Sequence, residues 1–171
     1  MPLKALFEIM SSLNLSFSLL MIPSESTQSA SFWLDKGNEL CNCGQMEDAL
    51  KAYDKALSID GSLVDAWNNK GMILANLGRY PESLQCFDES LKISPKHVYT
   101  LSNKGMVLGQ QKKFHEALRC FDEAIAIDPY FAGAWYNKAL ALQSLGQGRE
   151  AMAAMKTAKA LESTARGGCR R

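Results

Sequence analysis

From Trp33 onward the apolar and small residues of this chain return at a fixed interval of 34 positions. Trp33, Trp67, Leu101 and Trp135 lead the series, and the pairs Lys36-Gly37, Lys70-Gly71, Lys104-Gly105 and Lys138-Ala139 follow three and four residues later. Twelve residues beyond each small member stand Ala49, Ser83, Ala117 and Ala151. Next come Tyr53, Phe87, Phe121 and Met155, and then Ala56, Ser90, Ala124 and Ala158. Within each unit these positions fall three or four apart, so each stretch predicts a helix with one apolar face. Small residues on that face let a second helix approach closely, and the bulky residue fills the space beside them. Gly44, Gly78, Lys112 and Gly146 separate the two stretches of each unit, where a helix C-terminus favours the left-handed conformation. Lys112 is the exception, with an expected cost of about 1 kcal/mol for a side chain there. Gly61, Pro95 and Pro129 end the second helix of the first three units.

A period of this length marks a helical solenoid, in which no unit buries its apolar face alone and each stacks on the next. With the small-large-small pattern present four times, the chain resembles the tetratricopeptide-repeat family over about three quarters of its length. The family pattern Trp-x-x-Leu-Gly-x-x-Tyr is altered here. Lys replaces the Leu in every unit, and Leu40, Leu74, Leu108 and Leu142 occupy the Tyr position. The fourth unit departs furthest, with Ala139 for Gly, Gly148 where the others have Met46, Tyr80 or Phe114, Met155 for an aromatic ring and Ser163 for Pro. The resemblance implies an all-α fold, a right-handed α-solenoid of antiparallel helix pairs. It places repeats at 30–63, 64–97, 98–131 and 132–163; outside them the sequence itself suggests an amphipathic helix and linker or a signal segment at 1–29 and a disordered tail at 164–171.

In this family the first helix of each unit lines a concave groove that binds protein segments. Offsets from the Trp position place Ser31, Leu34, Asp35, Asn38, Cys41 and Asn42 there from the first unit, and Asp65, Asn68, Asn69, Met72 and Asn76 from the second. The third contributes Tyr99, Ser102, Asn103, Met106 and Gln110, and the fourth Tyr136, Asn137, Leu140, Gln143 and Ser144. The expected face is neutral and rich in amides. Asn69, Asn103 and Asn137 share the offset of Asp35, a ladder of carboxamides able to donate to and accept from a peptide backbone. Met72, Met106 and Leu140 would tolerate varied ligand side chains. Relatives that clamp a chaperone's C-terminal carboxylate carry cations at groove offsets filled here by Leu34, Tyr99 and Asn103. An unpaired carboxylate would be costly to desolvate on this face, so that ligand is disfavoured.

Composition narrows the function further. The 171 residues are 47% hydrophobic and 22% charged, with a formal net charge of +1. That balance offers no basic surface to recruit nucleic acid, and Asp35 and Asp65 lie in the expected groove. Five cysteines point to a reducing compartment, the cytoplasm, unless residues 1–30 are an export signal. Cys86 and Cys120 sit one period apart beside Phe87 and Phe121 and read as small packing residues. Cys41 and Cys43 lack the further ligands a metal needs. His97 and His115 read as solvated surface residues, and no phosphate loop or nucleophile-base set stands outside the repeat. No cofactor, metal or enzymatic activity is expected.

The ends carry their own expectations. Leu3, Leu6, Phe7, Met10, Leu13 and Phe17 recur at helical spacing before Pro23 and a Ser-rich stretch, which fits an amphipathic helix that caps the first repeat or lies in the groove. Lys4, the Leu15–Ile22 run and Ser29-Ala30-Ser31 fit a secretory signal instead, and the segment is too short and polar for a membrane span. The last helix, with Ala151, Met152, Ala154, Met155, Ala158 and Leu161, would present an apolar flank to a second copy or a partner. The sequence therefore describes a non-catalytic scaffold that binds a protein or peptide segment in its groove, or a targeting or regulatory subunit of a larger enzyme or secretion complex. RNA binding is the weaker reading.

Overall fold

The computed structural model describes residues 28–168, with side chains through Thr164. Among the described residues the fold is all-helical: α1 (Ala30–Asn42), α2 (Met46–Ile59), α3 (Val64–Asn76), α4 (Tyr80–Ile93), α5 (Val98–Gln110), α6 (Phe114–Ile127), α7 (Ala132–Ser144) and α8 (Gly148–Gly168). The helices fall into four pairs, one per sequence period. The amphipathic helix or signal expected before residue 28 lies outside the described residues. At the other end α8 continues to Gly168, past the boundary at residue 163 drawn from the repeat pattern.

The turns inside the pairs are one motif repeated. Gly44 and Gly78 have φ of 76° and 75°, Gly146 has 77°, and Lys112 takes the same left-handed conformation at 61°. In each, the amide of the left-handed residue donates to the carbonyl three residues back, and the next amide to the carbonyl five back. Gly44 thus bonds Cys41 and Gln45 bonds Leu40, while Lys112 bonds Gly109 and Lys113 bonds Leu108. This pattern satisfies carbonyls that the helix end would otherwise leave open.

Inside each pair a ring packs on bare backbone. Tyr53, Phe87 and Phe121 are almost wholly buried, and a Cβ added to Gly37, Gly71 or Gly105 would stand 2.5, 2.7 or 2.6 Å from the facing ring. Only glycine fits such an approach. In the last pair Ala139 faces Met155, so the extra methyl and the slimmer, flexible side chain arrive together.

Between pairs, two features explain the altered first helix. Lys70 reaches back to Asp54 at 2.5 Å, Lys104 to Asp88 at 2.7 Å and Lys138 to Asp122 at 2.6 Å, each joining a first helix to the second helix before it. The same lysines Lys70 and Lys138 lie over the rings of Trp67 and Trp135. The indole N–H of Trp67 donates to the Gly61 carbonyl and that of Trp135 to Pro129, each at 2.9 Å, closing the loop that enters the repeat.

Neighbouring first helices touch one another, α1 with α3, α3 with α5 and α5 with α7, whereas no such contact joins the described second helices. A row of pairs packed more tightly along one edge must curve toward that edge. The first helices therefore form the inner, concave wall, as the resemblance implies.

Candidate functional site

The curvature decides which side chains share a face, and their surroundings decide which are available. Asp35, Asn42, Asp65, Asn76, Tyr99, Gln110, Tyr136 and Leu140 are exposed. Asn38, Asn69, Met72, Asn103, Met106 and Asn137 are half-buried between neighbouring helices. Asn68 and Ser102, expected in the groove, are instead buried between repeats.

The carboxamides do something the sequence did not suggest. Asn69 Nδ2 donates to Asn38 Oδ1 at 2.9 Å, Asn103 Nδ2 to Asn68 Oδ1 at 3.0 Å and Asn137 Nδ2 to Ser102 Oγ at 3.5 Å. Each bond crosses from one repeat to the one before it. The phenol of Tyr53 also donates to Asn38 Oδ1 at 2.7 Å, and Asn68 Nδ2 donates to Asn69 Oδ1 at 3.1 Å. The ladder is thus a chain of struts along the wall, and one amide hydrogen of each rung is already committed. Burial pushes the Tyr53 phenol up to about 12, so it stays a proton donor in this network.

A second polar cluster ties the second repeat to the third. Thr100 Oγ1 contacts Ser90 Oγ at 2.9 Å and donates to Asn68 Oδ1 at 3.2 Å, and Ser90 Oγ lies 3.2 Å from the Val64 carbonyl. His97 Nδ1 sits 2.7 Å from Thr100 Oγ1, and its Nε2 is 3.5 Å from Asp65 Oδ1. The expectation of a solvated His97 is therefore corrected: the imidazole is half-buried at the start of α5 and bridges two repeats. The sequence held a signal for this cluster. Ser90 is polar where the other units carry Ala56, Ala124 and Ala158, Thr100 is polar where they carry Phe32, Ala66 and Ala134, and the two polar residues meet each other.

Toward the C-terminal half the wall becomes apolar. Tyr99, 61% exposed, meets the Phe131 ring edge-on with centroids 5.3 Å apart, and Tyr136 and Leu140 are also open to solvent. Between α5, α6 and α7 lies a cavity of about 210 Å³, lined by Met106, Gly109, Phe121, Leu140 and Ala141 and rimmed by Gln110, Asn137 and Ser144. Five of the positions expected on the groove thus converge on one hollow.

Cys86 and Cys120 serve packing. Cys86 is buried, and burial pushes its thiol up to about 11; Cys120 is shifted upward for the same reason. Neither is a ready thiolate at neutral pH. Cys41 and Cys43 occupy the end of α1, and among the described residues no three His, Cys, Asp or Glu side chains gather into a metal site. No described helix is long and apolar enough to cross a membrane.

Three family models match the chain in overlapping spans that together run from residue 37 to 153: a tetratricopeptide repeat model over 62–129, a TPR repeat model over 37–78 and another tetratricopeptide repeat model over 120–153. No curated protein matches it. Among solved structures it is similar to a crystal structure of MamA, at 18% identity and a TM-score of 0.73 with 81% of each chain covered, a likeness of fold. It is also similar to MamA (41-end) from Desulfovibrio magneticus RS-1, at 28% identity and a TM-score of 0.70, covering 78% of this chain and 76% of that one.

Proposed function

The chain belongs to the tetratricopeptide-repeat family, and from that premise we propose that it is a non-catalytic adaptor holding a protein segment against the first helices, in a reducing compartment such as the cytoplasm. Such folds act in general as protein-interaction scaffolds, because stacked repeats present an extended concave surface. The observation that carries the finer reading is the opening of Tyr99, Tyr136 and Leu140 on the inner wall, above amides already locked to each other. Exposed apolar side chains on a rigid concave wall are suited to capture, and pre-ordering lowers the entropic cost of binding.

The struts change the role first expected of Asn69 and Asn103. They set the wall's shape and offer at most a remaining amide hydrogen to a ligand backbone, so ligand side chains supply more of the recognition. Asn137, held by the longest of the three cross-repeat bonds, is the rung freest to turn toward a ligand. Nucleic acid is a poor ligand for this surface, since exposed Asp35 and Asp65 repel phosphate and the groove positions contribute no Lys or Arg. Service as a targeting or regulatory subunit of a larger complex would use the same groove.

Capture of partners by the full chain, compared with Tyr99→Ala, Tyr136→Ala and with the convex-face variant Glu89→Lys, tests the reading. Partners lost from the groove variant and kept by the other support it. Partners lost only from the convex-face variant refute it.

A further inference from the structure

The four repeats differ in how well they fill the seam between adjacent first helices, and the difference is graded. One side of each seam is Cys41, Ala75 and then Gly109; the other is Ile73, Val107 and then Ala141. Each step along the chain removes bulk from the same place, a sulfur and then a methyl group on one side and carbon alone on the other. Ile73 and Val107 are essentially inaccessible and plug the first two seams. At the third, Gly109 and Ala141 leave the cavity of about 210 Å³, and a Cβ placed on Gly109 would meet nothing within 4 Å. The lining includes the buried ring of Phe121 together with Met106, Phe114 and Leu140.

We infer that this seam is a side-chain pocket, built by the loss of bulk at Gly109 and Ala141, which receives one Leu-, Met- or Phe-sized side chain of a bound peptide. The inference rests on the groove reading above and names its anchor. Size supports it: a dry apolar cavity of about 150 Å³ takes up benzene, so the space here holds a phenyl ring or a branched aliphatic chain. Chemistry supports it as well. The interior is hydrocarbon and ring, while Gln110, Asn137 and Ser144 stand at the rim, where a peptide backbone would pass. Charge sets the flank of the ligand. The acidic side chains at the groove positions are Asp35 and Asp65, both exposed in the first two repeats, so the segment running from the anchor toward them is expected to carry Lys or Arg.

The repeats provide a control built into the sequence. Gly109→Ala with Ala141→Val installs at the third seam the residues that Ala75 and Val107 already place at the second. The Gly109→Ala change also replaces a glycine inside a helix, which favours folding. The filled variant is therefore expected to melt at or above the wild-type temperature.

The test selects random linear peptides displayed on phage against the full chain and measures their affinity for wild type, the filled variant and Tyr99→Ala, Tyr136→Ala. The expected result is enrichment of peptides sharing one Leu, Met or Phe, with at least a tenfold loss of affinity for the filled variant. Replacing that anchor by Ala should cost as much on wild type and almost nothing on the filled variant. Gly109→Ala alone serves as a second, smaller filling and should give an intermediate loss. Peptides that bind the filled variant as well as wild type, yet fail on the tyrosine variant, would overturn the pocket and leave the groove reading standing. Peptides indifferent to both changes, or no enrichment at all, would overturn both.

Discussion

A single methyl group separates two ways of building the same repeat. At Gly105 an added Cβ would lie 2.6 Å from the Phe121 ring, whereas Ala139 carries that methyl opposite Met155. Gly105→Ala is accordingly expected to destabilise the fold by about 1–3 kcal/mol, the usual range for overpacking. Combined with Phe121→Met it should cost less than the sum of the single changes by more than about 0.5 kcal/mol, read from urea denaturation; strict additivity would refute the pairing. The buried ionisable groups act on a different axis. Tyr53 is raised from 10.0 to about 12 and Cys86 from 9.0 to about 11 by burial, so the fold favours their protonated forms. Their contribution is complete below pH 9 and is lost as pH rises through 11 and 12. Stability measured from pH 8 to 12 should fall on that limb, and Tyr53→Phe should make the fall shallower at its upper end. Position by position, the glycines, rings and small residues were legible because each recurs. The cross-repeat bonds of Asn69 and Asn103 were not, since an offset places a side chain on a face without saying whether it meets solvent or a neighbour.

At the scale of the helix pair, the turn is the informative unit. Four turns share one hydrogen-bond pattern, and three meet its left-handed position with glycine. Lys112→Gly should therefore raise stability by up to about 1 kcal/mol, the relief of the left-handed side chain less the extra backbone freedom of the unfolded glycine. The reverse change Gly78→Lys should lower it by a similar amount. Chemical denaturation of both variants decides, and a loss on Lys112→Gly would show that the lysine side chain contributes more than its backbone costs. The exposed ion pairs within helices, such as Lys51 with Asp48 and Lys92 with Glu89, are screened by solvent and are expected to add little to stability. Helix number, order and turn positions were readable from the period, because each boundary is written by Gly, Pro or the left-handed position. The exact reach of α8 was not, as no Gly or Pro interrupts the stretch between Ser163 and Gly167.

For the molecule as a whole, the periodic lysine and aspartate positions constrain how copies could meet. Lys70, Lys104 and Lys138 each find an Asp on the preceding repeat, and the next position of the aspartate series, after Asp54, Asp88 and Asp122, is Lys156. A copy stacked end to end in the repeat's own geometry would set its Lys36 against Lys156, and like charges oppose that contact. Alanines 151, 154 and 158 of α8 are buried in the described fold, leaving Met152, 70% exposed, as the main apolar residue facing outward there. Self-association through α8, which remains part of our reading, is therefore expected to pair the same face of two copies rather than grow head to tail. Light scattering should give a finite mass that Met152→Glu reduces to one chain. A mass unchanged by that variant would remove the proposal, and an open-ended increase with concentration would contradict the charge argument.

The curvature of the solenoid was implied by the family pattern, and it emerges physically from first helices that touch their counterparts while the second helices do not. The apolar hollow at the third seam was less legible, because Gly109 and Ala141 look unremarkable until set beside Ala75 and Val107. Hydrogen exchange of the full chain with a captured partner, or with a selected peptide, tests the concave-face account most directly. We expect added protection on α1, α3, α5 and α7, concentrated on α5 and α7 around Gly109 and Ala141, with α2 and α4 little changed. Protection confined to the second helices, or to the outward face of α8, would contradict it.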